Sequence, residues 1–147
     1  MTSENLTSRP WLLSKRVLPQ HTDHGGVMWH GAYLSWLEEA RVEALAAVGL
    51  TYRELCCQGM QMPVVRLEIK YMRSLAHGET VSLESWSLPK KGARWPWKTV
   101  IIREDGEMAV QALVELVLVH QVGGLTRVLR QPPESLALAL RKLQLGP

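Results

Sequence analysis

Cysteine is scarce in this sequence, and its two cysteines are adjacent. Cys56 and Cys57 are the only cysteines among 147 residues, and neighbouring cysteines do not suit an ordinary structural disulfide. The pair also lacks the spacing of a zinc site. We therefore expect two reduced thiols and a fold that is stabilised by its hydrophobic core, because a domain of this size needs no cross-links.

Long apolar segments and long basic runs are also missing. No segment approaches the length that spans a bilayer, and residues 1–10 lack the charged start and the apolar run of a signal peptide. The formal charge of +3 and the pI near 9.1 suit an anionic small molecule as well as nucleic acid. Since no nucleic-acid-binding motif is present, we expect a cytoplasmic protein with no membrane span and no nucleic-acid partner.

The length and the composition are those of one folded domain. With 46% apolar and 21% charged residues, the chain resembles ordinary globular proteins and can bury roughly 70% of its unfolded surface. We expect a single domain over residues 1–147, with a loose tail over residues 1–10. The helical spacing of Leu136, Leu140 and Leu143 predicts a helical tail over residues 131–147.

A polar, glycine-rich segment is the most distinctive local feature. It runs from His21 to Tyr33, and apolar residues then recur at helical spacing from His30 to Val48. Glycines such as Gly26 bring the backbone close to a ligand, because no side chain projects from the Cα atom. The helix that follows offers unpaired N–H groups and its positive dipole end to a carbonyl oxygen or an anion. Asp23 is the carboxylate of this candidate site.

Elsewhere the apolar and polar residues alternate. The pattern predicts strands over residues 11–18, 64–73, 80–88, 93–103 and 108–120, with a further short strand over residues 126–129. Pro96 is expected at a bulge or an edge position, and Thr51 is expected to cap a short helix, Tyr52 to Cys57. Short connections favour an antiparallel meander. The predicted class is α+β, with the long helix wrapped by an antiparallel sheet and a helix at the C-terminus.

The loop and the helix together resemble the hotdog-fold acyl-CoA thioesterases of the 4-hydroxybenzoyl-CoA thioesterase family. In that family a strand leads into a pattern close to Asp-Thr-Asp-x-x-Gly-Val-Val-Tyr-His-x-x-Tyr, and a helix rich in Trp, Glu, Ala and Arg follows. The matching run here is Thr22-Asp23-His24-Gly25-Gly26-Val27-Met28-Trp29-His30-Gly31-Ala32-Tyr33, followed by Trp36, Glu38, Glu39, Ala40 and Arg41. The resemblance covers about residues 11 to 121 and implies the hotdog fold.

The resemblance implies a thioester hydrolase and suggests roles for four residues. Asp23 matches the catalytic aspartate, which acts as nucleophile or general base. His30 matches a site residue whose backbone N–H, at the helix N-terminus, polarises the thioester carbonyl. Tyr33 matches an aromatic residue that helps to frame the site. Glu39 matches the position where another hotdog branch places its catalytic carboxylate, and it is the reserve candidate.

Candidate substrate contacts lie in the loop and in basic turns. Coenzyme A carries several negative charges, so nearby cations are candidates for binding its phosphates. Trp29, Trp95 and Trp97 are candidates for an acyl pocket. The predicted substrate-binding residues are Gly26, Trp29, Tyr33, Arg73, Lys90, Lys91 and Arg94. Paired sheets in the family, and an apolar strand over residues 108–119 that is hard to bury in one small subunit, imply a homodimer or a homotetramer.

Several alternatives remain open. Imidazole and carboxylate groups suit zinc, but the spacing of His21, Asp23, His24 and His30 matches no closed zinc site, so no metal or other cofactor is predicted. His21 replaces the first Asp of the family pattern, and Pro19 stands where related sequences often place a Tyr. These departures allow a non-catalytic module that binds acyl-CoA or an acyl carrier. A hotdog dehydratase is a third hypothesis, and the acyl group is either aromatic or short to medium-chain aliphatic.

Overall fold

Residues 8–147 are described by a computed structural model of the chain. The helices are α1 (Tyr33–Ala47), α2 (Tyr52–Cys57) and α3 (Glu134–Leu145). The strands are β1 (Trp11–Arg16), β2 (Met60–Gln61), β3 (Val64–Tyr71), β4 (Thr80–Ser87), β5 (Arg94–Arg103), β6 (Met108–Val122) and β7 (Leu125–Leu129). A turn of 3₁₀ helix, Pro19–His21, lies between β1 and α1. Most of the predicted N-terminal tail, residues 1–7, lies outside the described residues, and the carbonyl of Ser8 accepts a hydrogen bond from Trp86 Nε1 at 3.1 Å.

The strands pair in antiparallel fashion, and β6 pairs with β2, β3, β5 and β7. β1, β4, β5 and β6 follow one another across the sheet. β3 pairs with the first part of β6, from Tyr71 opposite Val110 to Val64 opposite Leu116. β2 and β7 pair with the last residues of β6. The antiparallel sheet predicted from the short connections is therefore present. β6 is long enough to pair with β3 along its first part and with β2 and β7 along its last residues.

One side of α1 is buried because its apolar residues recur every three or four positions. Its buried residues are Tyr33, Trp36, Leu37, Ala40, Ala44 and Leu45. The core cluster at the N-terminal end of α1 contains Tyr33 and Trp36, whereas the cluster at its C-terminal end contains Leu45 together with Trp95 and Trp97. The two ends of α1 therefore contact different parts of the molecule.

The long helix begins later than its periodicity predicted. Residues 30–32 form a turn, and the first helical residue is Tyr33 rather than His30. Ala32 occupies the cap position, and its side chain makes no capping hydrogen bond. Apolar periodicity continues through this turn, which explains the error. The helix ends at Ala47, and Gly49 follows with φ +85°, the left-handed conformation that favours glycine after a helix.

The two shorter helices lie where the sequence predicted them. Thr51 Oγ1 accepts a hydrogen bond from the N–H of Glu54 at 3.1 Å, so the predicted cap of α2 is present. α3 buries Leu136, Leu140 and Leu143, and the carbonyl of Leu143 accepts a hydrogen bond from Trp11 Nε1 at 2.9 Å. α3 is thus tied to β1. Among residues 8–147, no helix is long and apolar enough to cross a membrane.

β3 is more exposed than its sequence pattern suggests. Alternating apolar and polar residues are typical of a strand with one buried face, but every residue of β3 except Ile69 is exposed. Leu67 is 41% exposed and Tyr71 is 49% exposed. β3 pairs with β6 on one side, and no strand within residues 8–147 pairs with its other side. Within residues 8–147 the outer edge of β3, with its exposed Leu67 and Tyr71, is therefore uncovered.

Pro96 was predicted at a bulge or an edge position, and the structure has no bulge there. The register of β5 against β6 runs without interruption through Pro96 opposite Glu115, and the irregularity lies between Ile101 and Ile102. The last β4–β5 pair is Ser87 opposite Trp97. Just beyond that pair, the N–H of Leu88 donates to the carbonyl of Pro96 at 2.9 Å. Pro96 has no N–H to return the bond, so it ends the β4–β5 ladder.

Candidate functional site

Backbone hydrogen bonds hold the site loop, residues 21–32, against one end of the sheet. The N–H of Asp23 donates to the carbonyl of Val27 at 2.9 Å, and the N–H of Gly26 donates to the carbonyl of Asp23 at 3.0 Å. The N–H of Met28 donates to Leu75, in the β3–β4 connection, at 2.8 Å. Gly26 has φ +81°, which favours glycine. The tip of the loop is therefore a defined turn.

The carboxylate of Asp23 is exposed at the tip of the site loop. Its Oδ1 accepts a hydrogen bond from the N–H of Gly25 at 2.8 Å, the bond of an Asx turn. No cation lies within ion-pair distance of Asp23 in residues 8–147. The backbone therefore orients this carboxylate, and its second oxygen is available to a ligand or to water.

The site loop meets α1 at His30 and Gly31, two residues whose backbone N–H groups precede the helix. Within residues 8–147 no acceptor is found for the N–H of His30 or of Gly31, whereas the N–H of Ala32 donates to Trp29 at 3.0 Å. The carbonyl of His30 accepts a hydrogen bond from Tyr71 Oη at 2.7 Å. Because that carbonyl and the N–H of Gly31 share one peptide plane, Tyr71 sets the direction of the N–H.

The sequence analysis missed Tyr71. It lies 41 positions from His30 in the sequence, and the site motif does not reach it. A local pattern predicts the loop and the strand separately, but not the contact between them. The contact depends on where β3 ends relative to the loop, which is a property of the folded sheet.

Two predicted aromatic residues of the loop lie in different surroundings. Trp29 is 46% exposed, and its ring stands edge-on to His30 at 5.5 Å between centroids. The same ring covers Gly31, where a Cβ atom would overlap it. Tyr33 is 2% exposed and packs edge-on against Tyr71 at 5.4 Å. Burial raises the pKa of Tyr33 to about 12. Trp29 thus forms an open wall, and Tyr33 supports the loop from the core.

His21 and Glu39 lie on the β1 side of α1. Glu39 forms an ion pair with Lys15 at 2.8 Å. His21 Nδ1 accepts a hydrogen bond from the N–H of Leu18 at 3.0 Å, and its ring packs edge-on against Trp36. Burial, with the charge of Lys15, lowers the pKa of His21, and Glu39 acts in the opposite sense. Both side chains are engaged in contacts between β1, the 3₁₀ turn and α1.

The four residues considered for zinc do not gather around one point. Within residues 8–147, no three His, Cys, Asp or Glu side chains form a group that could hold a metal ion. His24 and His30 are both exposed, whereas His21 packs against Trp36. The arrangement gives the zinc hypothesis no support.

The predicted phosphate-binding cations lie at two separate places. Arg73 follows β3, near the site loop, and forms an ion pair with Glu107 at 3.8 Å. Lys90, Lys91 and Arg94 lie in and after the β4–β5 connection, which we call the basic hairpin. β4 separates this hairpin from the site loop, and an eight-residue strand spans about 25 Å. The basic hairpin therefore does not reach Asp23 of its own chain.

Two cations of the basic hairpin already have partners. Arg94 forms an ion pair with Glu115 on β6. Lys90 donates to the carbonyl of Gly92, and its Nζ lies 5.8 Å from the centroid of the Trp95 ring. The side chain of Lys91 is exposed and makes no ion pair or hydrogen bond within residues 8–147. Lys91 is therefore the most available of the three cations.

A cavity of about 250 Å³ lies beside the C-terminal half of α1. Trp95 and Trp97, the candidates for an acyl pocket, line it, and Trp29 does not. Arg41 also lines it and was not predicted as a site residue. A signal for Arg41 was available in the helical spacing, because it stands four residues after Leu37 and four before Leu45, both of which are buried. An arginine on the buried face of a helix needs a hydrogen-bonding partner or contact with water, because burial of an unpaired charge is unfavourable.

Comparisons with known proteins agree with this architecture. Residues 25–110 match the family described as the thioesterase superfamily. The chain is 35% identical over 142 residues to a Synechocystis protein provisionally named an esterase, covering 96% of this chain and 84% of that protein. It is 30% identical over 91 residues to a Bacillus subtilis protein provisionally named an acyl-CoA thioesterase, covering 62% of this chain and 66% of that protein.

A solved structure extends the likeness to three dimensions. A DHNA-CoA thioesterase from Staphylococcus aureus superimposes with a TM-score of 0.80 at 27% identity, covering 90% of this chain and 89% of that chain. The shared architecture includes the antiparallel sheet and the long helix. The hotdog fold implied by the loop and helix motif is confirmed.

Proposed function

The chain belongs to the thioesterase superfamily and is a thioester hydrolase, and from that premise we propose that it cleaves acyl-CoA thioesters with Asp23 and the N–H groups of His30 and Gly31. One observation carries this proposal. The site loop combines an exposed carboxylate with two backbone donors that have no acceptor within residues 8–147. The donors precede the N-terminus of α1, where the helix dipole favours negative charge.

The two N–H groups suit the charge that develops during hydrolysis. Attack on a thioester carbonyl moves negative charge onto the carbonyl oxygen, and fixed donors stabilise that oxyanion. Tyr71 binds the carbonyl of the peptide that carries the Gly31 N–H, and hydrogen bonds in such a chain polarise one another. Tyr71 is therefore a positioning residue for the oxyanion donors.

Asp23 can serve by either of two routes. As a general base, its carboxylate takes a proton from water, and the resulting hydroxide attacks the carbonyl carbon. As a nucleophile, it forms an acyl-aspartyl anhydride, which water then opens. In both routes the carbon–sulfur bond breaks, the coenzyme A thiolate takes a proton, and the acyl group leaves as a carboxylic acid.

We also propose that two copies of the chain pair through β3. β3 is eight residues long and exposes Leu67 and Tyr71, and its outer edge has no strand partner within residues 8–147. Uncovered edges of this kind pair with other strands. Two copies related by a two-fold axis at the middle of β3 form an antiparallel pair. In this arrangement Val64 of one copy lies opposite Tyr71 of the other.

Such a dimer explains the position of the basic hairpin. Val64 lies beside Leu116 of β6, and Leu116 lies beside Trp95 of β5, so the start of β3 is on the same side of the sheet as the hairpin. Antiparallel pairing of the two β3 strands therefore places the basic hairpin of one copy near Tyr71 and the site loop of the second copy. Lys90, Lys91 and Arg94 then become candidates for the phosphates of coenzyme A, whose acyl end lies at the other copy's Asp23.

The test is release of free thiol from a panel of aromatic and aliphatic acyl-CoAs. Asp23→Asn keeps an oxygen that can accept the Gly25 hydrogen bond, so it removes the charge with little change of shape. We expect kcat/KM to fall at least about a hundredfold. Asp105→Asn is the matched control, because Asp105 makes the same type of bond, to the N–H of Glu107 at 2.9 Å. This variant should leave thiol release unchanged.

Two results would contradict the proposal in different ways. Equal thiol release by the wild type and Asp23→Asn would remove Asp23 from the mechanism and direct attention to Glu39. Absence of release by the wild type across the panel, together with binding of acyl-CoA, would favour the non-catalytic module. Light scattering on the same samples separates a dimer from a tetramer, since a tetramer needs an interface in addition to β3.

A further inference from the structure

The cavity beside α1 takes no part in the chemistry described above. Its volume is about 250 Å³, and its apolar walls include Leu45, Leu140, Trp95 and Trp97. An apolar protein cavity of ~150 Å³ holds a benzene molecule. This cavity is therefore large enough for a substituted aromatic ring or a medium-length alkyl chain.

Arg41 lies at the wall of this cavity. Its side chain is half-buried, and it forms no hydrogen bond or ion pair within residues 8–147. Glu38 also lines the cavity but does not form an ion pair with Arg41. Burial lowers the pKa of Arg41, although the charge of Glu38 acts against this. A guanidinium that is partly removed from water and has no carboxylate partner is suited to bind a ligand that carries a carboxylate.

Tyr52 adds a second polar group to the same wall. It lies on α2 and lines the cavity with Arg41. Burial raises the pKa of Tyr52, so its hydroxyl stays protonated at neutral pH and can donate a hydrogen bond. The cavity thus combines apolar walls with two donors.

The cavity lies where an acyl group can reach it from a second copy. Val64, the first residue of β3, lines the cavity. In the dimer proposed above, Val64 lies opposite Tyr71 of the other copy, and Tyr71 binds the carbonyl of His30. A thioester held at the His30 and Gly31 N–H groups of one copy can therefore extend its acyl group into the cavity of the other.

We propose that this cavity receives the acyl group and that Arg41 selects acyl groups that end in a carboxylate. The proposed substrates are then the monothioesters of dicarboxylic acids. This assignment rests on the proposed function and on the β3 pairing. Arg41 binds the carboxylate remote from the thioester, and Tyr52 donates to it. Trp95 and Trp97 contact the apolar part of the acyl group.

Matched substrates test this selection. Adipoyl-CoA is compared with hexanoyl-CoA, and 4-carboxybenzoyl-CoA with benzoyl-CoA, so that each pair differs only in the terminal carboxylate. Because hydrogen bonds to charged groups are stronger than those between neutral groups, we expect the wild type to favour the carboxylated member by at least about tenfold in kcat/KM. Arg41→Gln should abolish this preference, and Glu38→Gln should increase it.

Arg53→Gln is the control for Arg41→Gln. Arg53 is an exposed arginine next to Tyr52 on α2, so its replacement makes the same change of charge outside the cavity. It should retain the full preference. Thermal unfolding of Arg41→Gln establishes that the variant is folded. Two results would overturn the proposed selection by Arg41: equal hydrolysis of both members of each pair by the wild type, or a preference that survives in Arg41→Gln. Either result would leave the thioesterase proposal intact.

Binding experiments keep the two proposals separate if the wild type hydrolyses none of the four thioesters. Calorimetry with thioether analogues of the same pairs, which cannot be hydrolysed, then measures recognition alone. Tighter binding of the carboxylated analogue, lost in Arg41→Gln and kept in Arg53→Gln, supports the cavity assignment even though the proposed reaction has failed. Equal binding of both analogues overturns it.

Discussion

The two ends of α1 have different chemical characters. At its N-terminal end the site loop presents an exposed carboxylate and two backbone N–H groups that have no acceptor within residues 8–147. Arg41, eight residues beyond Tyr33, lies about 12 Å further along the helix and faces an apolar cavity. The first end is one loop segment that Tyr71 and Leu75 hold in place, whereas the second is lined by residues of α1, α2, α3 and the sheet. The proposed reaction thus uses a polar loop, and the proposed recognition of the acyl group uses an apolar cavity.

Separating the two copies should have the largest effect, because each complete site is proposed to combine the loop of one copy with the cavity of the other. Leu67→Lys places a charge on the exposed edge of β3 and should convert the dimer to a monomer. Since misplacement of a substrate costs about a hundredfold, we expect kcat/KM to fall by at least that factor. Light scattering and thiol release measure the two effects on the same sample.

Leu125→Lys is the control for this experiment. Leu125 is 77% exposed on β7, so the variant makes the same substitution on a strand outside the proposed interface. It should leave the oligomeric state and the activity unchanged. A fully active Leu67→Lys monomer would show that each chain holds a complete site, and the separation of functions between copies would then be wrong.

Removing one tyrosine hydroxyl at each end of α1 should separate turnover from recognition. Tyr71→Phe removes the hydrogen bond to the His30 carbonyl and frees the Gly31 peptide to rotate. Because such a bond contributes about 1 kcal/mol, we expect kcat to fall by up to about tenfold, with a smaller change of KM. Tyr52→Phe, at the cavity, should instead reduce the preference for a carboxylated acyl group. The same effect of both variants on kcat would contradict the distinction between the two ends.

Gly31→Ala tests the exposed wall that Trp29 forms, and its effect on activity should be smaller. A Cβ atom at position 31 would overlap the Trp29 ring, which is exposed enough to move away. We expect a modest rise of KM for acyl-CoA as the wall is displaced. In a Trp29→Ala background the added methyl group meets no ring, so Gly31→Ala should have no further effect. A loss that persists in that background would mean that the backbone itself has shifted.

The two ends also differ in how far the sequence predicts them. Asp23, its glycines and the helix behind them follow from a local motif and from apolar periodicity, and the same periodicity places α3. The helix start was wrong by one turn because Ala32 gives no capping signal. Tyr71 was missed because its hydrogen bond to His30 joins segments 41 positions apart, and Arg41 was missed because segments distant in the sequence line its cavity. Likewise, the distance between the basic hairpin and the site loop becomes clear only from the strand order.

Acidification should have the smallest effect, and it concerns the contacts that hold the N-terminal end of α1. Burial lowers the pKa of His21 in the folded chain, whereas the unfolded chain keeps a value of about 6.5. Below that pH the unfolded state binds the proton more readily, so the contribution of His21 to the free energy of unfolding is lost as the pH falls. Protonation also removes the Nδ1 acceptor of the Leu18 N–H.

The measurement compares thermal unfolding at about pH 7.5 and about pH 5, a range that spans the titration of histidine in the unfolded chain. The unfolding temperature of the wild type should fall more on acidification than that of His21→Gln, whose side chain does not titrate. The difference should be small because the ring is partly exposed to solvent. His24→Gln is the control, since His24 is exposed in the same loop, and it should respond to pH like the wild type. An equal fall in all three proteins would show that the protonation of His21 does not oppose folding, and that another group accounts for the loss of stability in acid.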